Sequence, residues 1–268
     1  MASNSALHEQ GPGGAGGRST RALSIGKLLP LKGLRAIDLG SNQGYNSFDL
    51  ADCGCREVLG VEIRERFLEE AHRLKREGGY DQVNFRDLDV RRIDELGLGR
   101  FDLCLCAGLL YHMQNPFNLL KRMRNLCRFL ALETHIAPSF WRFFAASRKY
   151  REYLTFRTHS VSFDGVKFSG RLNIFPEQQD MLNTSGSVVS RSTFWLNQKS
   201  LERAISLAGF KMRAIYFAGP PVNQPEILVH YGPSRSKIFC LAEVVEPERT
   251  IPVCESRIEG ADLLAASS

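Results

Sequence analysis

The sequence predicts an α/β fold: a doubly wound, mostly parallel sheet of seven strands with an antiparallel edge strand and a lid insertion. Three observations predict it. Arg35–Tyr45 reads Arg-Ala-Ile-Asp-Leu-Gly-Ser-Asn-Gln-Gly-Tyr, an apolar run that reaches Asp38, then Gly40 and Gly44, before a new amphipathic segment starts. A buried strand turning sharply into a helix reads this way, and glycine at the turn lets backbone press against a nucleotide-like ligand. Gly60-Val61-Glu62 then ends a second strand about 20 residues further on, where an acid can hydrogen-bond both ribose hydroxyls. Finally, five strand patterns alternate with four helix patterns, and Phe101–Ala107 is almost wholly apolar, as a central parallel strand should be.

The elements follow in order. Ala22–Leu31 is a short amphipathic entry ending at Pro30, and Leu34–Leu39 is the first strand. Asn46–Asp52 is helical and Gly54 ends it; Glu57–Ile63 is the second strand. Arg66–Glu77 carries Phe67, Ala71 and Leu74 at helical spacing, and Gly78-Gly79 stops it. Gln82–Phe85 is a third strand, Arg91–Leu98 a short helix and Phe101–Ala107 the fourth strand. Pro116–Leu126 is a helix with Phe117 and Leu120 on its apolar side, and Arg128–Thr134 is the fifth strand. Residues 137–195 break the rhythm, and a long insertion at this edge of such a sheet is expected to be a substrate lid. Gln198–Leu207 is a helix closed by Gly209; Phe210–Phe217 and Lys237–Val245 are the last two strands, around a loop with Pro220-Pro221 and Pro225. Residues 1–20 are expected to be a disordered Gly-rich lead-in, 21–246 the folded domain and 247–268 a tail.

Composition narrows the class. The 268 residues are 43% hydrophobic and 24% charged, ordinary for a soluble globular protein. No apolar run approaches the roughly 18 residues of a membrane span, so no membrane partner is expected. The first residues lack the apolar core of a secretory signal, and the expected location is cytoplasmic. Two Cys-x-Cys units, Cys53/Cys55 and Cys104/Cys106, raise a four-thiolate zinc site as an alternative, but buried small hydrophobes are the better reading and no metal is expected. The net charge of +6 permits an acidic partner such as RNA. Arg142, Arg148, Lys149, Arg151 and Arg157 interleave with Trp141, Phe143, Phe144, Tyr150, Tyr153 and Phe156, which reads either as a solvated amphipathic helix or as a surface for nucleic acid.

With these motifs in place, the chain resembles the class I S-adenosylmethionine-dependent methyltransferases, a Rossmann-like family, over residues 22–245. Asp38-Leu-Gly-Ser-Asn-Gln-Gly matches the family's acid-x-Gly-x-Gly-x-Gly loop, with Asn42 in place of the middle glycine. The resemblance implies S-adenosyl-L-methionine as cofactor, held by Asp38, Gly40, Ser41, Asn42, Gly44, Tyr45 and Glu62, by Asp89 and Val90 near the adenine, and by Cys106, Ala107 and Gly108 beneath the methionine part. A nicotinamide enzyme is the rival, but Asp38 would repel a pyrophosphate while it suits an ammonium. A narrower resemblance, Gly108-Leu-Leu-Tyr-His-Met-Gln-Asn-Pro116, is to the tRNA wobble-uridine carboxymethyltransferases and their relatives. There it implies that Tyr111 meets the extra carboxylate of carboxy-S-adenosylmethionine; the ordinary donor is the default expectation here.

Methyl transfer is an in-line displacement that needs alignment, desolvation and, for a hydroxyl nucleophile, a base. His112, Tyr111 and Glu133 are the catalytic candidates; His135 shares the end of the fifth strand with Glu133, and Phe194 and Trp195 are candidate pocket walls. The expected acceptor is an O or N group of a small molecule or glycan. RNA modification, with Arg235 and Lys237 adding phosphate contacts, and a non-catalytic module with a degenerate site are the alternatives.

Overall fold

The computed structural model describes residues 20–139, 154–174, 192–218 and 237–245. The chain divides into two compact units, Met1–Ala107 with Leu126–Ala131, and Gly108–Asn125 with Leu132–Ser268. The first unit opens with α1 (Thr20–Leu28), followed by β1 (Arg35–Leu39), α2 (Tyr45–Asp52), β2 (Glu57–Glu62), α3 (Glu65–Gly78), β3 (Val83–Asp87) and β4 (Phe101–Ala107). The second contains α4 (Pro116–Leu126), most of it from residue 116 to 125, the latter half of β5 (Cys127–His135), then β6 (His159–Phe163), β7 (Val166–Ile174), β8 (Ser192–Leu196), α5 (Gln198–Leu207), β9 (Phe210–Ala218) and β10 (Lys237–Val244). Seven strands form one sheet in the order β3-β2-β1-β4-β5-β10-β9. The pairs β1–β2, β1–β4 and β2–β3 are parallel, and β9–β10 is antiparallel at the edge.

In the first unit, Ala36, Ile37 and Leu39 of β1 and Leu103, Cys104, Leu105 and Cys106 of β4 are buried, which is why these runs lack polar alternation. Cys55, Cys127 and Cys240 are buried too. Burial pushes the Cys55 and Cys240 thiols up to about 12, so they behave as small hydrophobes. Helix α3 places Glu65 in its first turn and Lys75 and Arg76 in its last, complementing the helix dipole, and stops at Gly79 in the left-handed region (φ 68). One aromatic ring organises the α2 side of the sheet: Phe85 of β3 lies 5.6 Å from Phe48, which stacks on Tyr80 at 4.5 Å. A Cβ on Gly60 would fall 2.5 Å from that ring and one on Gly44 would fall 2.4 Å from it.

Two elements differ from expectation. The predicted helix at 91–98 is a 3₁₀ segment, Val90–Glu95, because Gly97 (φ 63) and Gly99 (φ 69) adopt left-handed backbone that a continuing helix forbids. The 137–195 insertion contains an antiparallel three-stranded sheet, β6-β7-β8. Its hairpin turns through Asp164 (φ 51) and Gly165 (φ 75), the pair of positive φ values that a two-residue turn between twisted strands requires. Lys121 of α4, itself buried, is ion-paired to Asp164 at that turn. Helix α5 is capped by Asn197, whose side chain accepts the Ser200 N–H at 2.8 Å. Most of the basic aromatic segment, together with the expected lead-in and tail, lies outside the described residues.

Gly60→Ala is expected to lower unfolding stability by about 1–3 kcal/mol, the cost of overpacking against a fixed ring. Urea unfolding checks this, and adding Phe85→Leu should recover part of the loss.

Candidate functional site

The loop after β1 is shaped by three left-handed residues, Gly40 (φ 69), Asn42 (φ 50) and Gly44 (φ 87). Asparagine tolerates this region better than other side-chain-bearing residues, which explains how Asn42 replaces a glycine. The Gly40 and Ser41 N–H groups donate to the Val61 carbonyl at 2.9 and 3.0 Å, so the loop is pinned to the end of β2. Ser41 Oγ is buried and has no hydrogen-bond partner among the described residues. The side-chain direction of Gly44 is filled by Phe85 and Phe48, so packing by itself already requires a glycine there. Tyr45 follows as the first, half-buried residue of α2.

Asp38 is buried in β1 and accepts a hydrogen bond from Ser47 Oγ at 2.8 Å. Burial pushes its carboxyl up to about 6, opposed by the Ser47 bond and by the charge of Arg21, while Glu62 and Asp49 raise it further. The site therefore holds an anion at a cost, one that a cationic ligand group would offset.

Glu62 ends β2 as a buried carboxylate with every oxygen engaged. Oε1 accepts from the Ile63 and Arg64 N–H groups, both at 3.0 Å, and from Arg64 Nε at 2.8 Å. Oε2 accepts from the Asn42 N–H at 3.1 Å and Arg64 Nη2 at 2.9 Å. Burial alone would raise its pKa; the Arg64 guanidinium and the backbone donors outweigh that and hold it below the usual carboxylate range. Asp89 repeats the pattern in the open. It caps the 3₁₀ segment by accepting the Arg91 N–H at 2.9 Å, and Arg91 Nε and Nη2 bond its carboxylate. Burial again opposes and Arg91 prevails, so Asp89 also titrates low. Val90 is half-buried beside it, Cys106 is fully buried and Ala107 half-buried at the end of β4.

The second unit gathers the other candidates. Gly108 (φ 79) donates its N–H to the Glu133 carbonyl at 2.9 Å, and a Cβ there would meet only the Tyr111 hydroxyl, at 3.8 Å. Tyr111 and His112 sit on a 3₁₀ turn, Leu110–His112. The Tyr111 ring meets His112 at 4.2 Å, His135 edge-on at 4.6 Å and Trp195 at 5.4 Å; His135 stacks on Trp195 at 4.9 Å. Ala137 and Leu154 pack with Trp195 beneath Tyr111. Glu133 Oε1 lies 3.6 Å from Lys237 Nζ, so Lys237 has an internal carboxylate partner. Phe194 is fully buried against Phe163, which makes it core rather than pocket wall.

These parts match known proteins. A methyltransferase-domain family model matches residues 30–137. The tRNA U34 carboxymethyltransferase of Desulforapulum autotrophicum is 30% identical over 119 residues, covering 42% of this chain and 36% of that protein. Its counterpart from Hahella chejuensis is 32% identical over 116 residues, covering 41% and 35%. The match thus spans about a third of those relatives' length. The N-terminal domain of EvdMO1, solved in the presence of S-adenosylhomocysteine (SAH) and D-fucose, is 25% identical with a TM-score of 0.58, covering 84% of this chain and 80% of that one. The CcbJ methyltransferase of Streptomyces caelestis shares the fold at 14% identity, TM-score 0.58, over 90% of this chain and 96% of that one.

Residues 30–137 carry a methyltransferase domain. The resemblance found in the sequence at Asp38–Gly44 and Glu62 therefore rests on the expected strand order as well as on motifs. Within the domain, sequence reasoning missed Ser47, Arg64 and Arg91. The signal was present: both acids are followed two residues later by arginine, Glu62-Ile63-Arg64 and Asp89-Val90-Arg91.

Asp38→Asn is expected to stabilise the ligand-free protein. The wild-type carboxyl has a raised folded-state pKa, so its favourable contribution is complete below the unfolded value near 4 and is lost as pH rises through about 6. The variant's advantage should grow from nil at low pH to about 2–3 kcal/mol near pH 8, because each tenfold change in proton affinity is worth about 1.4 kcal/mol. Urea titrations across that range check it.

Proposed function

We propose that the protein is an S-adenosylmethionine-dependent methyltransferase whose acceptor is a hydroxyl or amine of a small molecule or glycan. The observation that carries the donor half is the buried, energetically costly Asp38 carboxylate beside the left-handed loop, with Glu62 at the next strand end. The residues fit the cofactor. Asp38 supplies the anion for an ammonium, and buried Ser41 Oγ has hydrogen-bonding capacity left over among the described residues. Glu62 would take the ribose and Asp89 the adenine amine.

When bound, the sulfonium supplies an electrophilic methyl group, so no protein nucleophile is needed. The protein's own contribution is orientation and proton handling. Tyr111 and His112 are the half-buried members of the cluster and would face an acceptor, with the buried His135 and Trp195 packed behind them. An imidazole there would accept the acceptor's hydroxyl proton as the oxygen gains the methyl. An aromatic wall with a nearby imidazole suits a sugar ring, and the similarity to the EvdMO1 domain solved with D-fucose supports that class.

A second reading, RNA modification, is favoured by the relatives acting on tRNA U34 and by the +6 charge. The two separate in one experiment. Radiolabelled S-adenosylmethionine is offered with a panel of deoxyhexoses and glycosides, and separately with unmodified tRNA. Label in the sugar pool supports the proposal; label in tRNA, with binding that falls steeply as salt rises, replaces it by the second reading. No SAH binding by calorimetry would mark a non-catalytic module.

His135→Gln should lower kcat by roughly 10²–10⁴-fold, the usual worth of a positioned base, while the SAH dissociation constant stays at the wild-type value. A normal kcat would remove His135 from the reaction.

A further inference from the structure

The donor site's strongest acceptor is already saturated from within. A carboxylate offers about four lone-pair positions, and Glu62 receives five donors: three backbone N–H groups and both prongs of the Arg64 guanidinium. The backbone donors belong to the loop and to the start of α3 and cannot leave without unmaking both. The two side-chain donors can. Arg64 Nε sits on Oε1 and Nη2 on Oε2, so withdrawing the guanidinium frees one position on each oxygen. Two donors, side by side, one per oxygen, is what a vicinal diol presents.

We propose that Arg64 is a removable stand-in for the ribose diol: in the ligand-free protein its guanidinium occupies Glu62, and the adenosyl donor binds by displacing it. The proposal rests on the donor reading above and concerns regulation of that same site. The pair is not explained by fold stability. The side chains of Arg64 and Glu62 are only 9% and 2% exposed, and a buried ion pair gains little net stability over apolar packing because both charges are stripped of water. What the fork does achieve is to keep Glu62 ionised and aimed while no ligand is present. Displaced, the guanidinium keeps neighbours that include Asn42 Oδ1, which Nη2 already reaches at 2.5 Å, and the Phe67 ring, 4.4 Å away. Asp89 and Arg91 form a weaker version, with 26% and 52% exposed side chains, where solvent screens the pair and exchange is easy. Arg64 is thus the step that limits occupation of the site.

An internal competitor reduces apparent affinity by the fraction of molecules in which it has withdrawn. Arg64→Met keeps an apolar stem over Phe67 and removes the fork; Arg64→Lys keeps the charge and loses the two-pronged geometry. At about pH 8, well above an ordinary glutamate pKa, Arg64→Met should bind SAH about tenfold more tightly, mainly through faster association. Arg64→Lys should fall between it and wild type. The same gain should appear with 5′-methylthioadenosine and vanish with its 2′-deoxy counterpart. Stopped-flow fluorescence and calorimetry read both quantities, and if Arg64→Met does not fold, Arg64→Lys decides. Wild-type SAH binding with no tightening in the variants overturns the stand-in and leaves the donor reading intact. No SAH binding by any of the three proteins overturns the donor reading, and the stand-in with it.

Discussion

The Glu62 carboxylate is the constraint on which the rest of the first unit depends. It accepts the Asn42 N–H from the loop after β1 and the Ile63 and Arg64 N–H groups ahead of α3. One side chain thereby closes two chain reversals. The loop needs such a tie because Gly40, Asn42 and Gly44 all adopt left-handed backbone, a conformation with no repeating hydrogen-bond ladder to hold it. The N–H groups of Gly40 and Ser41 satisfy themselves on the Val61 carbonyl, the residue before Glu62, so the β2 end receives the whole loop. Beneath it, Phe85 fills the space that side chains at Gly44 and Gly60 would need. Those glycines are set by packing from below as much as by ligand chemistry above.

Asp38 shows the opposite economy. Among the described residues it has one side-chain donor, Ser47, and burial dominates its titration. A fold optimised for stability would replace it with an uncharged residue of the same size. Retaining it makes sense where a cation arrives later. Two acids at adjacent strand ends thus differ: the charge of Glu62 is matched internally by Arg64, and that of Asp38 is not.

The sequence disclosed the parallel core because its signals are local. Phe101–Ala107, Pro116–Leu126 and Gln198–Leu207 occur where their periodicity and caps place them. The glycine loop was equally readable, since positive φ has few residue solutions. The β6–β7 hairpin was visible in principle: Asp164-Gly165 between Phe163 and Val166 is a strong two-residue turn signal. It was obscured by the length of the insertion, which invited a single label for 59 residues, 137 to 195. The Arg64 and Arg91 forks were not readable in the same sense. Each is two residues from its acid, but whether an acid–arginine pair is a solvated surface contact or a buried saturated carboxylate is decided by tertiary burial, and the two pairs came out differently.

That contrast explains why the donor is easier to infer than the acceptor. Recognition of an adenosyl group is written largely in backbone: left-handed turns, strand-end carbonyls and N–H groups, and acids at fixed strand ends. Such features survive wide sequence change, and the family match accordingly covers residues 30–137. The acceptor candidates are side chains in the second unit, contributed by the 3₁₀ turn at Leu110–His112, by β5 and by β8. On the proposed reading, acceptor choice would rest on side chains such as these, which can change without moving a strand. A sequence motif for the acceptor is therefore not to be expected, and the aromatic–imidazole cluster has to be read from contacts instead: His135 stacked on Trp195 at 4.9 Å, with Tyr111 edge-on to His135.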